Sequence, residues 1–209
     1  MAPFKNRVDA GNKLAQALEE YRGTDAVVYA LPRGGVPVGR PVADALGVPL
    51  DLVISRKIGH PNNPEYAVCA VAEDGEMLCD KAERRALDGA WLADAVERER
   101  AEALRQSAVY RAGRRGVSPE GKTAIIVDDG IATGLTIHAA IRALRAKRPS
   151  CVVVATPCAP QSVAESLRRE ADRVVVLEGK ERYRGAVGAY YDAFPQTSDE
   201  EVRRLLQKT

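Results

Sequence analysis

The stretch Ala124–Thr136 (AIIVDDGIATGLT) constrains the fold more than any other part of the chain. Its apolar start, Ala124 to Val127, reads as a buried strand, which ends abruptly in two adjacent carboxylates, Asp128 and Asp129. A turn of small residues follows, Gly130, Ile131, Ala132, Thr133 and Gly134, and a helix is expected from Leu135. Such a turn presents backbone N–H groups, and the helix presents its positive end, so both favour a phosphate. Glycine lets the backbone come close and take positive φ, while Thr133 and Thr136 can add hydroxyl donors. The carboxylates would repel a phosphate. They suit vicinal sugar hydroxyls or a nearby metal ion, so the segment as a whole suits a sugar phosphate.

The same alternation of short apolar runs and helical stretches continues along the chain, which favours a mainly parallel sheet flanked by helices. A first helix carries Leu14 and Leu18 and ends before Gly23. Ala26–Ala30 is a strand, Val36–Leu46 a helix that tolerates prolines near its start, and Leu50–Ile54 a strand. Tyr66–Ala72 and Glu76–Leu78 are expected to form a hairpin around Asp74-Gly75. From Lys81 to about Arg111 one long helix is expected, with a narrow apolar stripe of Leu87, Trp91 and Ala95. Its charged part, Glu97–Glu102, is expected to project into solvent. After the Ala124–Thr136 segment come a helix to Ala146, a strand Cys151–Thr156, a helix Ser162–Arg169, a strand Arg173–Leu177 and a last helix from about Asp199.

Two further loops sit where ligands of open α/β sheets collect. Strand Ala26–Ala30 runs into Leu31-Pro32-Arg33-Gly34-Gly35, whose glycines allow a strained turn with inward amides and whose Arg33 supplies a fixed cation. Strand Leu50–Ile54 ends in Ser55-Arg56-Lys57, which adds two cations at the same sheet edge. Ile58–Glu65 (IGHPNNPE) has neither helical nor strand pattern and reads as a loop. His60 within it could titrate near neutral pH, although a surface histidine is the plainer account; His138 is placed on a helix flank.

Composition narrows the remaining classes. The 209 residues permit one α/β domain with a sizeable core. A net charge of +2, from 31 basic and 29 acidic side chains, gives no global field for nucleic acid. No run approaches the ~18 apolar residues of a membrane span, and no secretory signal is evident at the N-terminus. Cys69, Cys79, Cys151 and Cys158 form no CxxC pair and read as separate thiols, which points to a reducing, cytoplasmic setting. Gly116–Thr123 (GVSPEGKT) satisfies the P-loop expression but precedes a strand instead of opening a helix, so it is set aside as a nucleotide site.

The Ile125–Thr136 segment resembles, without a gap, the PRPP-binding signature of the type I phosphoribosyltransferases. The wider pattern is also similar to a group of bacterial phosphoribosyltransferase-like proteins. It runs from PRGG (Pro32–Gly35) through RKIG (Arg56–Gly59) and VDDGIATG (Val127–Gly134) to a C-terminal Tyr-Tyr-Asp. The resemblance implies a single phosphoribosyltransferase domain over 1–209, with a helical insertion or flap at 79–116 and a hood and terminal helix at 178–209. It implies that Asp128 and Asp129 grip the ribose hydroxyls, directly or through water near Mg²⁺. Gly130, Ile131, Ala132, Thr133, Gly134, Leu135 and Thr136 would then bind the 5′-phosphate. Arg33, Gly34 and Gly35, with Arg56 and Lys57, would hold the pyrophosphate. A mobile flap is implied somewhere in Gly59–Gly116.

Ala132 stands where enzymes acting on 6-oxopurines usually carry Asp, which argues against a hypoxanthine or guanine acceptor. The aromatics Tyr183, Tyr190, Tyr191 and Phe194 could stack on a flat base or simply pack a core. The implied activity is Mg²⁺-dependent transfer of a phosphoribosyl group from PRPP to a nitrogenous acceptor in nucleotide salvage. The alternative is a PRPP-sensing or RNA-binding protein of the same fold, encouraged only by the basic segment Arg111–Arg115 and the charged helix. That helix would also give two protomers a surface on which to pair as a homodimer.

Overall fold

Apolar runs bounded by turns form the strands β1 (Ala26–Ala30), β2 (Leu50–Leu52), β3 (Ser55–His60), β4 (Asn63–Ala72), β5 (Met77–Cys79), β6 (Thr123–Val127), β7 (Cys151–Cys158) and β8 (Arg173–Glu178). The helices are α1 (Arg7–Ala17), α2 (Gly35–Leu46), α3 (Lys81–Ala86), α4 (Gly89–Arg111), α5 (Leu135–Ala146), α6 (Gln161–Leu167) and α7 (Asp199–Gln207). The computed structural model describes residues 2–179 and 183–207, apart from the side chains of residues 64 and 65. Parts of the expected hood, residues 180–182 and the last two, therefore lie outside the described residues.

Five strands pair in parallel in the order β2-β1-β6-β7-β8, and β3-β4-β5 form a separate antiparallel sheet. Alternate residues of the parallel strands face opposite sides, as a pleated strand requires. Val28, Ala30, Ile125, Val127, Val153 and Ala155 meet α1, α2 and α7, while Val27, Tyr29, Ala124, Ile126, Val152 and Val154 meet α5 and α6. With both faces covered, each fully buried Val or Ile contributes about 1.5–3 kcal/mol. From β1 the chain moves outward through α2 to β2; from β6 it moves the other way through α5 to β7. The C-terminal ends of β1 and β6 thus flank the point where winding reverses, and a crevice forms there.

Several expectations need correction. Ile58–Glu65 is no open loop: β3 and β4 pair antiparallel, with His60 opposite Asn63, and the prolines and asparagines crowd the hairpin tip. The expected hairpin around Asp74-Gly75 is present as β4 and β5, with Val71 opposite Met77. The long helix breaks at Leu87-Asp88, because the Asp88 carboxylate caps a new start by accepting from Trp91 N–H at 2.8 Å. Nor does its charged half project freely. Leu92, Ala95, Ala103 and Tyr110 are buried, and α4 packs on β3, β4 and α7. Its C-terminal end is pinned by Arg111, which donates to Asp51 (3.1 Å), Glu73 (2.9 and 3.1 Å) and the Leu52 carbonyl (2.8 Å). The charged half of α4 is therefore seated on the domain and is not a free arm.

Cys69 and Cys79 are joined in a disulfide, against the expectation of separate thiols. They stand directly opposite each other in the β4–β5 ladder, each five residues from Asp74, so the hairpin itself brings them together. This removes the cysteine-based ground for a reducing compartment. Cys151 and Cys158 are free. No helix among the described residues is long and apolar enough to cross a membrane.

Candidate active site

Two loops meet over the crevice. After β1, Leu31 N–H donates to the Val127 carbonyl at 2.9 Å, and Gly35 N–H returns to the Leu31 carbonyl at 2.9 Å. The Pro32–Arg33 peptide is cis. Gly34 has an ordinary φ of −63°, so the glycines serve here for space, not for the left-handed backbone that a strained turn implied. A Cβ on Gly34 would lie 2.0 Å from Asp129 Oδ2, and one on Gly35 would lie 2.6 Å from the Val127 carbonyl. Only glycine lets this loop touch the acidic pair.

Asp128 and Asp129 follow β6 and are largely shielded. Burial, and then the neighbouring Asp129 charge, pushes the Asp128 carboxyl well above the ordinary range. Burial also raises Asp129, opposed by Arg7, whose Nε donates to Asp129 Oδ2 at 2.7 Å. Arg7 was not singled out from the sequence. It donates to the Pro195 carbonyl at 2.6 Å as well, and its guanidinium lies 3.8 Å from the Phe194 ring centre. Tyr191 donates its hydroxyl to the Asp129 carbonyl at 2.5 Å. The acidic pair is thus held by α1 on one side and the C-terminal segment on the other.

Beyond the pair, Gly134 takes φ +84° and stands at the N-cap of α5, with no side chain capping the helix. The first-turn amides of a twelve-residue helix are thereby presented beside the crevice. Ala132 and Thr133 are exposed, and Thr136 lines the adjoining cavity. Ile131 differs from the expectation. Its side chain is buried, and its amide donates to the Cys158 carbonyl at 2.9 Å, so it anchors the loop instead of offering a donor. Gly130 packs closely under the C-terminal segment; a Cβ there would lie 2.4 Å from Val187.

A cavity of about 860 Å³ opens beside these loops, lined by Arg33, Ser55, Arg56, Lys57, His60 and Thr136 on one side. The cations named from sequence therefore share one space. Its far wall is α4, through Trp91, Arg98, Glu99, Glu102, Gln106 and Tyr110, together with Asp199 of α7. This wall was missed. Its signal was the polar recurrence at 99, 102, 106 and 110, which places those residues on one helix face. Ser55 Oγ is buried without a hydrogen-bond partner at the cavity edge.

The described residues contain no cluster of three or more His, Cys, Asp or Glu able to hold a metal. Two adjacent carboxylates suit at most a cation that keeps most of its water and needs few protein carboxylates, as Mg²⁺ does.

Other candidates resolve into structure. Lys122 of GVSPEGKT pairs with Asp25 at the N-terminal edge of the sheet, away from the crevice. In the basic segment, Arg111 is held by Asp51 and Glu73, and Arg114 by the Leu206 carbonyl, which weakens the argument for RNA. Tyr190 and Tyr191 are core residues packed with Phe4 and Cys158, so base stacking by those two rings does not stand. His138 lies on the α5 flank, its ring 3.0 Å from Ser166 Oγ and 3.2 Å from Glu170.

Comparison with known proteins bears on the family and the fold. Two Mycobacterium tuberculosis proteins, named "Putative phosphoribosyl transferase" MT0597 and Rv0571c, are each 43% identical over 210 residues, covering all of this chain and 47% of theirs. The chain thus spans about half the length of the curated relatives it matches. The crystal structure of TT1426 from Thermus thermophilus superposes with a TM-score of 0.82 at 39% identity, over 99% of this chain and 98% of that one. Residues 4–193 match the phosphoribosyl transferase domain, a span that includes both loops and reaches the C-terminal segment. By that match and its close relatives, the chain belongs to the phosphoribosyl transferase family.

Proposed function

We propose that the crevice binds PRPP and transfers its phosphoribosyl group to a nitrogen acceptor, releasing pyrophosphate. The observation that carries this reading is the convergence of a largely shielded acidic pair, an uncapped helix N-terminus and a cation-lined cavity at one switch point. Asp128 and Asp129 would hold the ribose diol, with Asp129 oriented by Arg7. Gly130, Ala132, Thr133, Gly134, Leu135 and Thr136 would cradle the 5′-phosphate, the loop being fixed by Ile131. Arg33, Arg56 and Lys57, with Ser55 Oγ, would receive the diphosphate. Mg²⁺ bound to PRPP would neutralise the leaving diphosphate, near Asp128 and Asp129.

In the transfer the C1′–O bond breaks and pyrophosphate leaves with the bonding electrons. The acceptor nitrogen then forms the new bond to C1′ and gives up its proton to water or to the released pyrophosphate. As C1′ becomes oxocarbenium-like, the acidic pair below it favours the developing positive charge. Ala132 offers no carboxylate to the acceptor, which argues against a hypoxanthine or guanine acceptor and leaves adenine-like, orotate-like, uracil-like or unusual acceptors open. A role in nucleotide salvage is in keeping with this chemistry. The chain is proposed to act as a single domain in which residues 79–116 form one wall of the cavity and residues 178–209 supply its hood and terminal helix.

The test is pyrophosphate release from PRPP with Mg²⁺ over a panel of nitrogenous bases, beside calorimetry of PRPP. Asp128→Asn combined with Asp129→Asn is expected to abolish PRPP binding with the fold retained. Unchanged PRPP affinity in that variant would defeat the assignment.

A further inference from the structure

We propose that Glu99 of α4 is a positioning residue that stands in for the leaving diphosphate. It occupies Arg56 and gives it up when diphosphate binds. The inference rests on the diphosphate assignment made above. Arg56 Nε donates to Glu99 Oε2 at 2.7 Å, across the cavity between β3 and α4. The other arm of the subsite is arranged in the same way. Arg33 Nη1 lies 3.5 Å from Asp199 Oδ1, and that oxygen also accepts from the Tyr110 hydroxyl at 2.8 Å. One helix face, through Glu99 and Tyr110, therefore governs both cations, directly at Arg56 and through Asp199 at Arg33.

The exchange needs only side-chain movement. Ala95 and Ala103 bury the backbone of α4 on either side of Glu99, and Arg111 ties down its end, so the helix itself stays seated. Glu99 has a second cation within reach, since Arg98 Nε lies 3.9 Å from its other oxygen. When diphosphate takes Arg56, Glu99 can turn to Arg98, which faces solvent. Until then its charge opposes the incoming anion twice, by holding the cation the anion needs and by like-charge repulsion. The arrangement lowers diphosphate affinity and favours release of the product.

The sign of the effect separates this role from simple ordering of Arg56. If Glu99 competes with diphosphate, Glu99→Gln tightens pyrophosphate; if it only pre-orients Arg56, the same change weakens it. Calorimetric titration of the full chain with pyrophosphate, with and without Mg²⁺, is expected to show about fivefold tighter binding for Glu99→Gln, as for loss of one half-shielded ion pair. Glu97→Gln, on the outer side of the same helix, is expected to leave affinity within about twofold. Glu99→Ala must move in the same direction as Glu99→Gln, which guards against a local effect of the amide. Equal or weaker binding in both Glu99 variants, with the wild type binding normally, overturns the stand-in role alone. A wild type that binds neither pyrophosphate nor PRPP overturns the diphosphate assignment together with it.

Discussion

Replacing Arg7 by Gln should reveal how the two neighbouring carboxylates are kept in the folded protein. The side chains of Arg7 and Asp129 are only 11% and 14% exposed, so their pair is substantially removed from water. Removing one member of such a pair costs about 3–5 kcal/mol, and the lower figure suits the residual exposure. For a chain of this size about 3 kcal/mol lowers the melting midpoint by roughly 6–12 °C. The Pro195 carbonyl and Phe194 ring lose their cation in the same change, so the attribution needs a double-mutant cycle with Asp129→Asn.

Asp129→Asn removes the charge that Arg7 neutralises and relieves Asp128, so Arg7→Gln should cost much less in its presence. A coupling of about 2 kcal/mol is expected from urea or thermal unfolding. The pH dependence has a definite sign. Both carboxyls are already raised in the fold, and losing Arg7 raises Asp129 further. A carboxyl raised by folding contributes stability below its unfolded pKa, and that contribution is lost as pH rises through the folded value. The deficit of Arg7→Gln should therefore be largest at neutral and higher pH and shrink as pH falls toward the ordinary carboxylate range. Additive single changes, within about 0.5 kcal/mol, or a deficit that grows in acid, would refute the reasoning.

The remaining expectations are smaller. Ser55→Ala removes a buried hydroxyl without a partner, so thermal melting should show equal or greater stability. If that hydroxyl donates to diphosphate, pyrophosphate affinity in calorimetry should fall by about 1 kcal/mol, or roughly fivefold. Burial, followed by the charges of Asp129 and Asp128, pushes the Cys158 thiol up to about 12, so it should resist alkylation at pH 8 in the native protein. Rapid labelling of Cys158 under native conditions, mapped by mass spectrometry, would contradict its placement beneath the signature loop.

The parallel sheet was readable because its strands carry nearly unbroken apolar runs, as doubly covered strands must. Ala26–Ala30 and Thr123–Val127 were bounded by the polar turns that form the crevice, so strand and site were visible together. The first cations, Arg33, Arg56 and Lys57, followed from their position at strand ends. What escaped was long-range pairing. Arg7 precedes Asp129 by 122 residues, and Glu99 follows Arg56 by 43, and neither separation leaves a local pattern.

The charged run Glu97–Glu102 illustrates the same limit: a solvated face and a cavity wall have the same composition. Cys69 and Cys79 were within reach, since a hairpin centred on Asp74 sets them opposite each other. The absence of a CxxC spacing drew attention away from that symmetry.

Residues 4–7 and 190–195 are stitched together beside the acidic pair. Phe4 N–H donates to the Tyr190 carbonyl at 3.1 Å, and its own carbonyl accepts from Asp192 N–H at 2.9 Å. Arg7, one turn further on, needs Pro195 and Phe194 before its guanidinium is fully held. During synthesis on a ribosome, α1 must therefore wait until Phe194 and Pro195 have emerged before Arg7 is fully held. Both anion-facing loops can be complete while the chain still lacks the clasp that orients Asp129. The grip on Asp129 is thus completed only after both loops have been made.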